Sequence, residues 1–422
     1  MQKKHLTLMA AVAMLYLTSC NKELFDKQIY NDAVDYQFML DNVDRYHNWQ
    51  LTKYDVVTIK TSTDIYSIKL LTTNPYTSSS SEIIAEAVCY GNEAKLGYTI
   101  PITQSTLYVA ALNEAGDYLG VKSFAYGTKE LDITTSDLQY RTTMTTPTPQ
   151  TYTFLYESTF PMPEDFDFND MVLRISKSLP DVANSFVVDV KVTLVAAGAS
   201  ELYAAAIQLA GINYDDVTKV EIVEGKAMDE GYPLQRLFIT DGNTLIKGRN
   251  GEAVINLFEC AQWALSKQKN ELGDISVLRY NTVKTDSENY SATASPVTAT
   301  YRITFKERQK ARNFTLDQLD PFIIHQNTNG GIWEVHTYPH KFDETLRELY
   351  FGQQSAYDNS ISWAVVVPKG DFRYPVEGNS ISGFNQNTSE VFGPYEEFVK
   401  WMHNHVVSQD WYLTITRPQL VY

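Results

Sequence analysis

SFVVDVKVTLVAAGAS, Ser185–Ser200, decides the fold class. Val188, Val190, Val192 and Leu194 fall on one face of an extended chain, and Asp189, Lys191 and Thr193 on the other. That period of two is the mark of a strand with one buried face. Working outward, TATYRITF (Thr298–Phe305) repeats it at Tyr301, Ile303 and Phe305. WAVVVP (Trp363–Pro368) is a continuous apolar run, expected where a strand is buried on both faces. Two helices are predicted in this half. One follows Asp343, with Phe342, Leu346, Leu349 and Tyr350 apolar and Gly352 at its stop. The other starts at Pro394 with Tyr395, Phe398, Val399, Met402 and Val406 on one stripe.

Upstream, YDVVTIKTS, IYSIKLLTT, IIAEAVCY, TLYVAALN and LGVKSFAY are short strand-like runs between Tyr54 and Tyr126, separated by turn clusters such as Thr73–Pro75 and Glu114–Asp117. The chain is therefore expected to be mainly β. An N-terminal Ig-like β-sandwich over 46–127 leads through a Thr/Pro-rich linker, 128–150, to a larger β-sandwich or jelly-roll-like domain over 151–422 with a few peripheral helices. With 422 residues, 44% of them hydrophobic and 20% charged, the chain can bury more than one core. Its 28 tyrosines, 19 phenylalanines and 6 tryptophans suit pleated surfaces. A formal net charge of −16 disfavours nucleic acid and anionic lipid as partners of the body and favours cations.

The first twenty residues have the form of an export signal. Lys3 and Lys4 precede an apolar run, Leu6–Leu17, too short to span a bilayer, which closes on Leu17-Thr18-Ser19-Cys20. That ending resembles the bacterial lipobox, so residues 1–20 are expected to be a lipoprotein signal peptide, Cys20 the lipidated residue and 21–45 a tether. Lys22-Glu23 resembles the short acidic export tag of Bacteroidota surface lipoproteins. The implied location is the outer membrane, at the cell surface. Cys89 and Cys260 lie in different regions without a framework spacing, and buried free thiols are expected.

EDFDFND, Glu164–Asp170, carries the densest chemistry. Asp165, Asp167 and Asn169 alternate with Phe166 and Phe168, and Asp170 follows before the strand MVLRIS. Hard cations such as Ca²⁺ take six to eight oxygen ligands, which closely spaced Asp and Asn side chains supply. An EF-hand would need glycine at the sixth place and glutamate at the twelfth, where this chain has Asp170 and Ser176. With no thiol or imidazole nearby, Zn²⁺ is disfavoured. The residues alone leave two readings open: a metal loop, or a solvated turn whose side chains cap backbone amides.

From YTFLYESTFPMPEDFDFNDMVLRI onward the chain resembles the LruC domain of bacterial surface lipoproteins. The likeness continues through GASELYAAAIQL, LDPFIIHQ, WEVHTYP, LYFG, ISWAVVVP, FRYPVEGNSI and QDWY, over most of 151–422. It implies a secreted β-rich fold and a Ca²⁺-stabilised loop held by Asp165, Asp167, Asn169 and Asp170, with Glu157 as a fifth ligand. It implies no catalytic activity. Ser158 and Phe160 stand where the family has aspartate and tryptophan, so this site is one oxygen poorer if that aspartate is a ligand.

Other constellations are weaker. His336 and His340 are separated by Pro339 and cannot share a helical face; Glu334 and His336 fall on one face of a strand, as a polar pair in a sheet would. His403 and His405 are expected at the surface. Ser382 stands where a nucleophile elbow needs glycine. Trp333, Trp363, Trp401 and Trp411 are the aromatic candidates for sugar stacking, with core packing the stronger reading for most. The function expected is a non-catalytic surface lipoprotein acting in adhesion, glycan or protein binding, or surface assembly. The competing class is a glycan- or peptide-processing hydrolase, whose spatial carboxylate pair no sequence spacing reveals.

Overall fold

The protein is described by a computed structural model covering residues 43–158, 165–183, 186–198, 201–233, 243–266, 279–287, 290–326, 332–337, 362–385, 390–391 and 393–422. The lipobox, the helix predicted after Asp343, Phe160 and His340 lie outside the described residues.

The N-terminal unit is a sandwich of two sheets. Its strands are β1 (Thr52–Thr61), β2 (Ser67–Leu71), β3 (Glu82–Val88), β4 (Glu93–Pro101), β5 (Thr106–Leu112), β6 (Tyr118–Ala125), β7 (Glu130–Ile133) and β8 (Thr148–Pro149). One sheet has the order β4-β1-β7, the other β6-β5-β2-β3-β8. Val57, Ile59, Leu96 and Tyr98 of the first meet Ile68, Leu70, Leu107 and Val109 of the second in one buried core. The segment expected to be a linker takes part in this unit. β7 pairs in parallel with β1, Gln139 bridges Val121, and β8 pairs in parallel with β3. Leu131 and Ile133 anchor β7 in the core, a signal that the threonines and prolines around them obscure.

In the second unit the strands are β9 (Thr151–Tyr156), β10 (Met171–Ser178), β11 (Val187–Ala197), β12 (Tyr203–Asn213), β13 (Val217–Gly225) and β14 (Leu245–Lys247). They are followed by β15 (Glu252–Phe258), β16 (Arg279–Tyr280), β17 (Ser291–Ala292), β18 (Val297–Phe305), β19 (Leu319–Gln326), β20 (Ile332–Val335) and β21 (Ala364–Val367). An eight-stranded sheet runs β13-β18-β11-β10-β9-β21 with β16 and β17 attached, and a five-stranded sheet runs β14-β15-β12-β19-β20. The alternation in β11 is realised: Val188, Val190, Val192 and Leu194 are fully buried. On the opposite face Asp189 accepts two hydrogen bonds of 2.8 Å from its cross-strand neighbour Arg302. The run WAVVVP is buried except for the half-buried Val366, and among the described residues β21 closes one end of its sheet, pairing with β9 alone.

Short helices sit at the periphery: α1 (Ala261–Leu265), α2 (Arg308–Asn313) and α3 (Glu397–His403). In α3, Phe398, Val399, Trp401 and Met402 are buried. Val406, expected on that stripe, falls past the helix end, where Asn404 turns extended and donates its N–H to Lys400 and Trp401. The segment expected to close the tether and open the first sandwich instead packs on the second unit. Trp49 lies 5.4 Å from Trp401 and 6.3 Å from Phe398, ring to ring, and with Leu51 joins the larger core. Among the described residues no helix is long and apolar enough to cross a membrane.

Candidate metal centre

Strands β9 and β10 are antiparallel neighbours, with Tyr156 opposite Met171. That register sets Glu157, just past β9, against Asp170, just before β10, and places residues 165–169 at the end of the sheet. Phe166 and Phe168 hold the loop down. Both rings are 2% exposed, Phe166 lying 5.4 Å from Trp363 and Phe168 6.2 Å from Phe398. Both residues have left-handed backbone, φ 49° and 54°, a conformation costing on the order of 1 kcal/mol or more for a bulky side chain. The Phe168 N–H donates to a Glu157 oxygen, and the Phe166 carbonyl accepts from Ile381 at 3.0 Å.

With the rings turned in, the alternate side chains converge, but not toward solvent as a capped turn would have them. Glu157 is 1% exposed, Asp167 2%, and Asn169 and Asp170 are buried as well. Carboxylate oxygens of Glu157, Asp165 and Asp167 lie within 4.8 Å of one another. Asp170 sits beside this trio with one oxygen turned to Ser158, accepting its N–H at 2.6 Å and its hydroxyl at 2.8 Å. The Asn169 amide donates to the Pro375 carbonyl at 3.2 Å, which leaves its Oδ1 buried and without a hydrogen-bond partner. Glycine at 198 makes room for that oxygen, since a Cβ there would stand 2.1 Å from it.

Burial raises the pKa of Glu157 and Asp167 well above the carboxylate range, and their acidic neighbours add to it. Burial also lifts Asp165, and it lifts Asp170 to about 7 against the Ser158 hydrogen bonds that pull it down. The neighbouring cation, Arg279, is engaged at 2.9 Å by Glu377, a further, half-buried acid. Full ionisation of the site therefore requires positive charge that these side chains do not supply. The donor set is all oxygen, includes an orphaned amide oxygen and fits a hard divalent cation.

A third chain segment closes the site. Gly378 donates its N–H to Asp167 Oδ2 at 2.8 Å, so 375–381 is bonded to the loop at three points. Glu377 and Gly378 were missed as site residues. Their only signal is FRYPVEGNSI, one of the stretches that carry the LruC resemblance, for nothing local ties them to a loop some two hundred residues earlier.

The remaining candidates are structural. His336 Nδ1 is 2.6 Å from Asp320 and its Nε2 3.1 Å from Glu334, all three buried, with the ring stacked 4.4 Å from Phe322. Burial alone lowers its pKa, but the two carboxylates push it up to about 10. Trp333, Trp363, Trp401 and Trp411 are all core residues, at most 6% exposed. Ser382 is buried. His405 bonds Asp44. Cys89 and Cys260 are free thiols, and burial pushes Cys260 up to about 11.

The family described as a domain of unknown function, DUF4842, matches residues 186–412, more than half of the chain. The chain belongs to that family. The matched span begins after the acidic loop and includes the segment that closes it. No curated protein matches the chain. Among solved structures, a candidate lipoprotein from Bacteroides ovatus aligns with a TM-score of 0.50 and 12% identity over 86% of this chain and 99% of its own, a likeness of fold. The full-length major pilin SpaD from Corynebacterium diphtheriae aligns over 68% of this chain and 66% of its own at 9% identity, with a TM-score of 0.16 that carries no argument.

Proposed function

We propose that this family member is a non-catalytic lipoprotein of the outer membrane, displayed at the cell surface, serving as a binding, adhesion or assembly module whose acidic loop is ordered by Ca²⁺. One observation carries the metal reading: Glu157 and Asp167, buried, converge with the half-buried Asp165, and among the described residues the neighbouring cation, Arg279, is already paired with Glu377. Those three and Asn169 Oδ1 would hold the ion, which when bound supplies the missing positive charge. The chain's own residues do the rest. The loop is tied to the end of β9 and to 375–381, so ordering it fixes three segments at once, a structural role rather than an activating one. The lipobox at Leu17–Cys20 supports the anchor, and the fold shared with the Bacteroides ovatus protein agrees with it. The narrower LruC assignment rests on the quoted motifs.

Native mass spectrometry tests the metal. The chain equilibrated with Ca²⁺ is expected to carry one ion that Asp167→Asn does not retain, and equal loading of the two proteins would refute the assignment. Radiolabelled palmitate entering the parent but not Cys20→Ala tests the anchor.

A further inference from the structure

Four of the exposed large apolar side chains among the described residues lie at one pole, beside α3, while the others, such as Tyr54, Tyr90 and Val223, are scattered over both units. Tyr46 is 69% exposed, Val406 63%, Leu413 56% and Val407 41%. Tyr46 belongs to the first described segment and the others to the loop beyond α3, and Asp44 ties the two together. Its backbone N–H donates to Met402 at 3.1 Å, and its carboxylate accepts from the Tyr46 N–H at 2.9 Å and the His405 N–H at 3.3 Å. Gln409 ties the loop back to the His405 carbonyl at 2.9 Å. Beneath lies a firm base, for His47 and Trp49 pack on Trp401, ring centroids 4.4 and 5.4 Å apart, and Trp401 meets Trp411 at 5.9 Å. The apolar groups are thus held outward by packed structure, and clustered exposure of that kind marks an interaction surface.

Two further features identify the occupant. Arg45, Lys400, Arg417, His403 and His405 stand among Asp44, Glu396, Glu397 and Asp410, so the pole is near neutral in a chain of net charge −16 and offers little repulsion to an anionic surface. It is also where the described residues begin, at Val43, on the side of the chain that leads back to Cys20. Residues 21–42 could reach on the order of 75 Å, so contact is not forced, but the anchor keeps the effective lipid concentration high enough for weak insertion to suffice.

We propose that Tyr46, Val406, Val407 and Leu413 form the surface by which the body rests on the lipid headgroup layer. This rests on the lipid-anchor reading above.

The test uses the full acylated chain in vesicles of phosphatidylethanolamine and phosphatidylglycerol. In a Cys89→Ser background, Val406→Cys carries an environment-sensitive dye, and Tyr140→Cys, 61% exposed on the other unit, is the reference. Emission at 406 is expected to shift to the blue on reconstitution and to fall severalfold with nitroxide headgroup lipids, while 140 does neither. Identical behaviour at the two positions overturns the proposal. So does a shift at 406 that follows protein concentration without lipid, which makes the pole a contact between copies. Intact mass separates the two readings. If Cys20 carries no acyl group, the anchor reading fails, and the same labelled chain with excess vesicles decides the pole alone: a lipid-dependent shift at 406 sustains it and none overturns it.

Discussion

Two buried acidic clusters in the second unit solve the same electrostatic problem differently. At β19 and β20, Asp320 and Glu334 flank His336, which hydrogen-bonds one carboxylate through each ring nitrogen, while Thr337 donates its N–H and hydroxyl to Asp320 at 3.1 and 2.6 Å. The compensating cation is part of the chain. At the loop, Glu157, Asp165 and Asp167 gather beside Arg279, whose charge is already shared with Glu377, and their pKa values rise. The difference teaches which cluster awaits something from outside. A buried carboxylate group with its own imidazolium is complete, and one without is protonated, strained by repulsion, or loaded with a cation.

Removing the internal cation breaks the comparison most directly. His336→Gln strands two buried carboxylates, and unfolding in urea is expected to show a loss of about 3–5 kcal/mol that Ca²⁺ does not restore. A loss under ~1 kcal/mol would mean that the network is not an ion pair. Next in size is Ca²⁺ itself, which at about a hundredfold excess over its dissociation constant should add about 2.7 kcal/mol to the parent by mass action.

The pH dependence sharpens the contrast. In the metal-free protein Asp170 has a folded pKa of about 7 and Glu157 and Asp167 lie well above their unfolded values, so the native state binds more protons than the unfolded one. Metal-free stability should therefore fall as pH rises from about 4 through 7, and the increment due to Ca²⁺ should grow over the same interval. His336 behaves otherwise. Its folded pKa is raised to about 10, so its contribution is complete below about 6.5 and disappears only as pH passes 10. Melting curves from pH 5 to 10.5, with EDTA and with Ca²⁺, separate the two. Smaller still is Gly198→Ala, whose Cβ would displace the Asn169 oxygen. A drop of about tenfold in Ca²⁺ affinity, equivalent to ~1.4 kcal/mol, is expected by calorimetric titration, and unchanged affinity would remove Asn169 from the ligand set.

The sequence was most legible where one period ruled. Val188 to Leu194 announced their strand because each second residue meets the same core. It was least legible where the partner is remote. Leu131 and Ile133 were hidden in a Thr-rich stretch because β7 pairs with a strand seventy residues earlier. Trp49 looked like the start of one unit because nothing beside it reveals Trp401. In the site, Asp165 and Asp167 were readable from their spacing and from their alternation with Phe166 and Phe168. The burial of the carboxylates was not, since it depends on Glu157 across the sheet end and on Gly378 arriving from afar.

Thermal unfolding at pH 7.5, with EDTA and then with millimolar Ca²⁺, beside Asp167→Asn, tests the central claim most directly. The account predicts that the parent's midpoint rises with Ca²⁺ and returns with EDTA, while the variant, relieved of one buried charge, does not move. Equal midpoints for the parent in both conditions, or an equal rise in the variant, would contradict it.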